Sequence, residues 1–188
     1  MPQASIRSLE PTKPALDLFC FALLASQVGV REGVGNSGPA VELYQRAVTK
    51  RGERTGNGSS VGEPWCAAFI QWVILTAEKA FGTRSRVAAS ELSTALYNQS
   101  PTALHRTAPE PGALIIWRKK GTANGHVEWV VDVNEDGTVQ TIGGNTGPDR
   151  ASGVADEGDG VYWKRRVVPT DAGNMEFLGF VQVWEDAA

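Results

Sequence analysis

The stretch Glu63-Pro64-Trp65-Cys66-Ala67-Ala68-Phe69-Ile70-Gln71-Trp72-Val73 sets a lone cysteine at the head of an apolar run. Phe69, Trp72, Val73, Leu75, Thr76 and Ala80 recur at roughly helical spacing, which predicts a helix reaching about Phe81. Pro64 suits the first turn of that helix, where its missing N–H costs nothing. Cys66 then lies beside unpaired backbone N–H groups and the positive end of the helix dipole, and both favour a thiolate. A cysteine in an apolar helix is also often a small buried hydrophobe. The choice turns on what the rest of the chain supplies.

The chain has two histidines. His126 opens Gly125-His126-Val127-Glu128-Trp129-Val130-Val131-Asp132-Val133, whose alternation and β-branched content read as a strand. A cysteine on a helix start facing a histidine on a sheet has the parts of a nucleophile and its general base. His105 lies in a polar stretch between elements and reads as a surface residue. A third group should orient the imidazole. Asp136-Gly137 makes a tight turn, and Thr138 to Asn145 returns as the second arm of a hairpin. That return brings Asn145 beside His126, where its side-chain oxygen is expected to fix the tautomer. Glu128 is the rival, two residues from His126 and on the same strand face.

Four motifs in order, Pro64-Trp65-Cys66-Ala67-Ala68-Phe69, Pro109-Glu110-Pro111-Gly112-Ala113-Leu114-Ile115-Ile116-Trp117, Gly125-His126-Val127 and Ile142-Gly143-Gly144-Asn145, resemble a CHAP domain. Ala25 to Glu32, with Asn36, Pro39, Val41 and Tyr44, is similar to the N-terminal part of one CHAP subfamily, so the resemblance covers roughly residues 20 to 147. CHAP domains are papain-like cysteine amidases and endopeptidases that cut bacterial peptidoglycan. The resemblance implies Cys66 as nucleophile and His126 as base. Many members carry a glutamate two residues before the asparagine of the last motif. Here Gly143 stands in its place, and Asn145 is carried over as the third catalytic residue. Glu32, Trp65 and Glu128 are expected to line the substrate cleft.

Length and composition are consistent with this. A chain of 188 residues can bury one proper core. A net charge of −3 and a pI near 5.5 argue against nucleic-acid binding, which favours a basic face. The two cysteines, Cys20 and Cys66, define no disulfide framework. Cys20 lies in an apolar segment and reads as a core thiol. The apolar run from Ala15 to Val30 follows Arg7 and Lys13 as a signal peptide would, but Asp17 interrupts it, so it is read as a first helix. It is too short for a membrane span.

Residues 1 to 13 are read as an arm and 14 to 188 as one catalytic domain. Helices are expected at about 14–28, 39–50, 64–81 and 88–98, with Ser90 as the cap of the last. Strands are expected at 113–118, 126–133, 138–143, 161–168 and 177–184. Helices first and strands after indicate an α+β fold, with N-terminal helices packed on a C-terminal antiparallel sheet. Arg51 to Ser60 has no apolar residue and reads as a mobile loop walling the cleft. Asp149, Asp156, Glu157 and Asp159 lie in a glycine-rich loop. Their spacing does not match a calcium-binding EF-hand, so a solvated acidic loop is expected, with no cofactor or metal.

The leading expectation is a peptidoglycan hydrolase cutting an amide of the stem peptide or cross-bridge. The alternatives are a cysteine protease or amidase on another substrate, and a non-catalytic wall-binding module. Without a clear signal peptide, synthesis in the cytoplasm is expected, with action in the periplasm or cell wall, most naturally that of a target cell. Delivery would be by phage lysis or by a secretion system, with secretion machinery and a cognate immunity protein as further partners.

Overall fold

The computed structural model describes residues 11–52, 61–148, 158–168, 171 and 173–185. The chain runs α1 (Lys13–Gln27), α2 (Pro39–Arg51), α3 (Cys66–Phe81), α4 (Ser93–Asn98), a 3-10 turn (Thr102–Leu104), then strands β1 (His105–Arg106), β2 (Ala113–Lys119), β3 (Gly125–Val133), β4 (Val139–Thr146), β5 (Gly160–Arg166) and β6 (Met175–Gln182). The six strands form one sheet in the order β1-β6-β2-β3-β4-β5, and every described pair is antiparallel. The fold is therefore α+β, with the helices before the sheet.

Helix α3 is the centre of this arrangement. It is apolar on nearly all sides, which is the pattern of a helix with no solvent face. Ala67, Ala68, Phe69, Ile70, Val73, Ile74 and Ala77 are wholly buried. The helix packs against α1 and α2 on one side and against β3 and β4 on the other. The sheet's helix-facing side supplies Leu114, Ile116, Val127, Trp129, Ile142 and Val181 to the same core. Its opposite side gathers Ala113, Ile115, Trp117, Val130, Val139 and Phe180 into a second cluster. Alternation along β3 thus sends Val127 and Trp129 toward the helices and leaves His126 and Glu128 on the other side.

The differences from the sequence reading are local. Pro64 is not in the helix: Trp65 is the N-cap and Cys66 the first helical residue. The fourth helix begins at Ser93 rather than Ala88, because Ser90 turns its hydroxyl to the Leu92 N–H (3.1 Å) in a local turn instead of capping a helix. Arg51 closes α2 rather than opening a loop; it is buried and paired with Glu78 of α3 at 2.8 Å. The rest of the expected cleft wall, 53–60, the arm up to residue 10, and Asp149, Asp156 and Glu157 of the acidic loop lie outside the described residues. Strand β1 escaped the sequence reading because two residues carry no periodicity.

Candidate active site

Cys66 holds the first position of α3, so its N–H and those of Ala67 and Ala68 have no intrahelical acceptor; the first helical bond runs from the Phe69 N–H to the Trp65 carbonyl (2.9 Å). Trp65 anchors this turn. It is wholly buried, packs on Tyr44 and Phe69 with ring centroids 5.7 and 6.4 Å away, and donates its indole N–H to Glu32. Gly144 permits that packing, since a Cβ there would lie 2.7 Å from the Trp65 ring and 2.9 Å from Phe69. Trp65 and Glu32 therefore brace the start of the helix.

The cleft beside Cys66 is formed by Pro64, Leu92, Ser93, Asn124 and Gly125, with Glu63, Glu91 and Lys119 bringing charges of both signs. Cys66 is 5% exposed, and its thiol points at the Gly125 carbonyl, 3.9 Å away. The next residue is His126. Its ring stacks on Trp117 (6.3 Å between centroids), and its Nε2 meets Glu128 Oε1 at 3.1 Å. Nδ1 makes no hydrogen bond among the described residues, so it is the nitrogen left for Cys66.

Glu128 is wholly buried and held from three sides. The Thr141 hydroxyl donates to Oε2 at 2.6 Å, Arg166 Nε donates to Oε2 at 2.9 Å, and the other arm of the Arg166 guanidinium donates to Oε1. Arg166 is itself buried and lies over the Trp117 ring at 5.7 Å. Burial alone would raise the Glu128 carboxyl, but the Arg166 charge and its hydrogen bonds, with His126, hold it far below the usual carboxylate range. Burial also disfavours a charged His126. Hydrogen-bonding reach to Cys66, the bond to Glu128 and the charges of both outweigh it and push the imidazole up to about 9. Since the thiol is turned to Gly125, the influence of Cys66 is that of a close neighbour rather than a formed bond.

The expected orienting bond from Asn145 is not there. The hairpin does return, with Trp129 opposite Ile142 and Val130 opposite Thr141, but the described β3–β4 pairing stops at Ile142 and a register break in the β4–β5 pairing follows Gly143. Asn145 adopts a left-handed backbone (φ 51°), which redirects its side chain, and its buried Nδ2 has no partner among the described residues. Glu128 takes the position beside the imidazole, where the sequence reading had it as a rival and a cleft residue. Gly143 makes room for it: a Cβ there would lie 2.8 Å from Glu128 Cγ. Arg166 and Thr141 escaped the sequence reading, although alternation from Arg166 to Lys164, both on this face of β5, was legible in principle.

His105 belongs elsewhere. Its ring stacks on Tyr97 at 4.3 Å and its Nε2 contacts the Tyr97 carbonyl at 3.0 Å. Among the described residues, no group of three or more His, Cys, Asp or Glu is placed to hold a metal ion, and no helix is long and apolar enough to cross a membrane.

A family model for the CHAP domain matches residues 56–145. The matched span includes Cys66, His126, Glu128, Gly143 and Asn145 and leaves out α1, α2, β5 and β6. Searches of curated proteins and of solved structures gave no match.

Proposed function

From the premise that the chain carries a CHAP domain over residues 56–145, we propose that it is a cysteine hydrolase that cuts an amide bond of bacterial peptidoglycan, in the stem peptide or its cross-bridge. The observation that carries this reading is the alignment of Cys66 at a helix start with a buried His126 whose far nitrogen rests on Glu128. In this mechanism the Cys66 thiolate attacks the amide carbonyl. The unpaired N–H groups of the first turn of α3 receive the developing oxyanion. His126, kept as imidazolium by its neighbours, protonates the leaving amine; as neutral imidazole it then takes a proton from the water that releases the acyl group. Glu128 holds the ring with Nδ1 toward the sulfur. The cysteine and histidine supply both nucleophile and proton transfer, so this chemistry calls for no metal.

The site of action is the periplasm or wall, where the substrate is, and delivery by a secretion system or by phage lysis fits that role. The test is incubation with purified sacculi, with and without a chelator. Release of new amino groups, unaffected by chelation, supports the reading. The residue bearing each new amine tells an N-acetylmuramoyl-L-alanine amidase from an endopeptidase. Intact sacculi with simultaneous cleavage of a casein or small amide substrate would move the chemistry to another class of amide.

A further inference from the structure

Four serines of the described chain are buried: Ser85, Ser90, Ser93 and Ser100. Three have clear structural partners. Ser85 donates to the Val183 carbonyl at 2.9 Å, Ser90 accepts from the Leu92 N–H at 3.1 Å, and Ser100 accepts from the Ala88 N–H at 3.0 Å. Ser93 is the exception. It is 3% exposed, its Oγ has no hydrogen-bond partner among the described residues, and it lines the cleft beside Cys66. The neighbouring hydroxyl, Thr94, is satisfied by the Ala123 carbonyl, so the loop is able to provide an acceptor and leaves Ser93 without one. Buried hydroxyls are rarely left unpaired, because the lost hydration is not recovered.

The position is specific. A Cβ on Gly125 would lie 3.0 Å from Ser93 Oγ and 2.0 Å from the Trp117 carbonyl oxygen. Residue 125 must therefore be glycine, and its bare Cα keeps the serine hydroxyl next to the backbone whose carbonyl faces the Cys66 thiol. Hydroxyl and thiol flank the same glycine, and Ser93 and Cys66 both line the cleft.

We propose that Ser93 donates its hydrogen bond to a backbone carbonyl oxygen of the bound amide substrate, as a contact that selects carbonyl-bearing ligands at Cys66. The proposal rests on the reading of Cys66 as the nucleophile of an amide hydrolase. The ligand it implies is a peptide segment lying along Gly125, and the missing partner of Ser93 is supplied by that segment.

The test uses Ser93→Ala and Ser93→Thr in the whole chain, the second keeping the hydroxyl. On sacculi, Ser93→Ala should lower kcat/KM about tenfold and Ser93→Thr by much less, which is the range of one neutral hydrogen bond. The melting temperature of Ser93→Ala should stay level or rise, because an unpaired buried hydroxyl has been removed; a packing residue would lower it. A second readout needs no wall substrate: the alkylation rate of Cys66 by iodoacetamide, which carries a carbonyl, relative to its reaction with dimethyl disulfide, which does not. Ser93→Ala should lower that ratio roughly threefold or more. A ratio and a kcat/KM both within about twofold of the parent protein overturn the role of Ser93 while leaving the hydrolase reading standing. A lower melting temperature with equal slowing by both reagents also overturns it. If the parent protein leaves sacculi uncut, the wall reading fails, and the reagent ratio still decides Ser93.

Discussion

Glu128→Gln separates the charge of the imidazole's partner from its shape. Glutamine fits the same buried space, and its side-chain oxygen can still accept from His126 or from Thr141, which now reach the carboxylate at 3.1 and 2.6 Å. What it removes is the negative charge. The rise of His126 from 6.5 to about 9 corresponds to about 3 kcal/mol in favour of the imidazolium, held by Cys66 and Glu128 together against burial. With one of those two supports gone, the alkaline limb of kcat/KM on sacculi should move down from near pH 9 by at least about one pH unit. The folded-state value of His126 lies above its unfolded value. Its stabilising contribution is therefore complete below pH 6.5 and is lost as pH rises through about 9, so the parent protein's melting temperature should fall across that window and the variant's should fall less. Glu128 has the opposite sign: its contribution is present above pH 4.5 and is lost as pH falls toward its depressed folded value. The variant also leaves Arg166, 6% exposed, without its counter-charge. Breaking a buried pair from one side costs about 3–5 kcal/mol, roughly 10 °C in a chain of this size. An alkaline limb that coincides with the parent's would refute the electrostatic role of Glu128. Near-parental activity of Glu128→Gln and Glu128→Ala beside a crippled Asn145→Ala would return the third position to Asn145.

The two thiols should behave oppositely. Cys66→Ala should abolish hydrolysis with the far-ultraviolet circular dichroism unchanged, while Cys20→Ala should keep activity and lose about 1 kcal/mol in denaturant unfolding, because Cys20 is wholly buried and burial pushes its thiol up to about 12. Gly143→Ala should lower kcat more than it raises KM and cost about 1–3 kcal/mol, since the new methyl meets a Glu128 side chain that Arg166 and Thr141 prevent from yielding. Full activity with an unchanged melting curve would show that Glu128 is free to move aside.

The helix start, the histidine strand and the α+β order were legible because each is written in local periodicity. Of the residues that mark the helix, Phe69, Val73 and Leu75 are buried, Trp72 and Thr76 half-buried and Ala80 exposed near its end; Val127 and Trp129 alternate with His126 and Glu128 along the strand. The identity of the imidazole's partner was not legible, because it depends on a register break and on one backbone angle. Hairpin arithmetic opposes Asn145 to His126, and it fails because pairing stops at Ile142 and Asn145 turns left-handed. The helix boundary at Ser93 was lost for a similar reason: Ser90 caps nothing and bonds the Leu92 N–H instead. Arg166 and Thr141 were invisible as functional candidates because they act through Glu128, at a distance of 38 and 13 residues along the chain.

The adjacent glycines of β4 are best understood from opposite faces of the sheet. Gly144 faces the helices and lets the Trp65 and Phe69 rings press on the strand, which sets how closely the first turn of α3 approaches it. Gly143 faces the other way, and the space where its side chain would stand is taken by Glu128 from the neighbouring strand. Many members of the family that this chain resembles carry a glutamate at the place of Gly143. A carboxylate at 128 and a side chain at 143 compete for one volume, so a chain that takes its carboxylate from β3 needs glycine on β4. The same exchange explains Arg166: a carboxylate rooted on β3 is wholly buried, and a buried anion persists only where a cation and hydroxyl satisfy its oxygens. Asn145 is then relieved of the imidazole, which accords with its Nδ2 having no partner among the described residues. The glycine, the displaced asparagine and the buried arginine are thus three consequences of placing one carboxylate on the histidine's own strand.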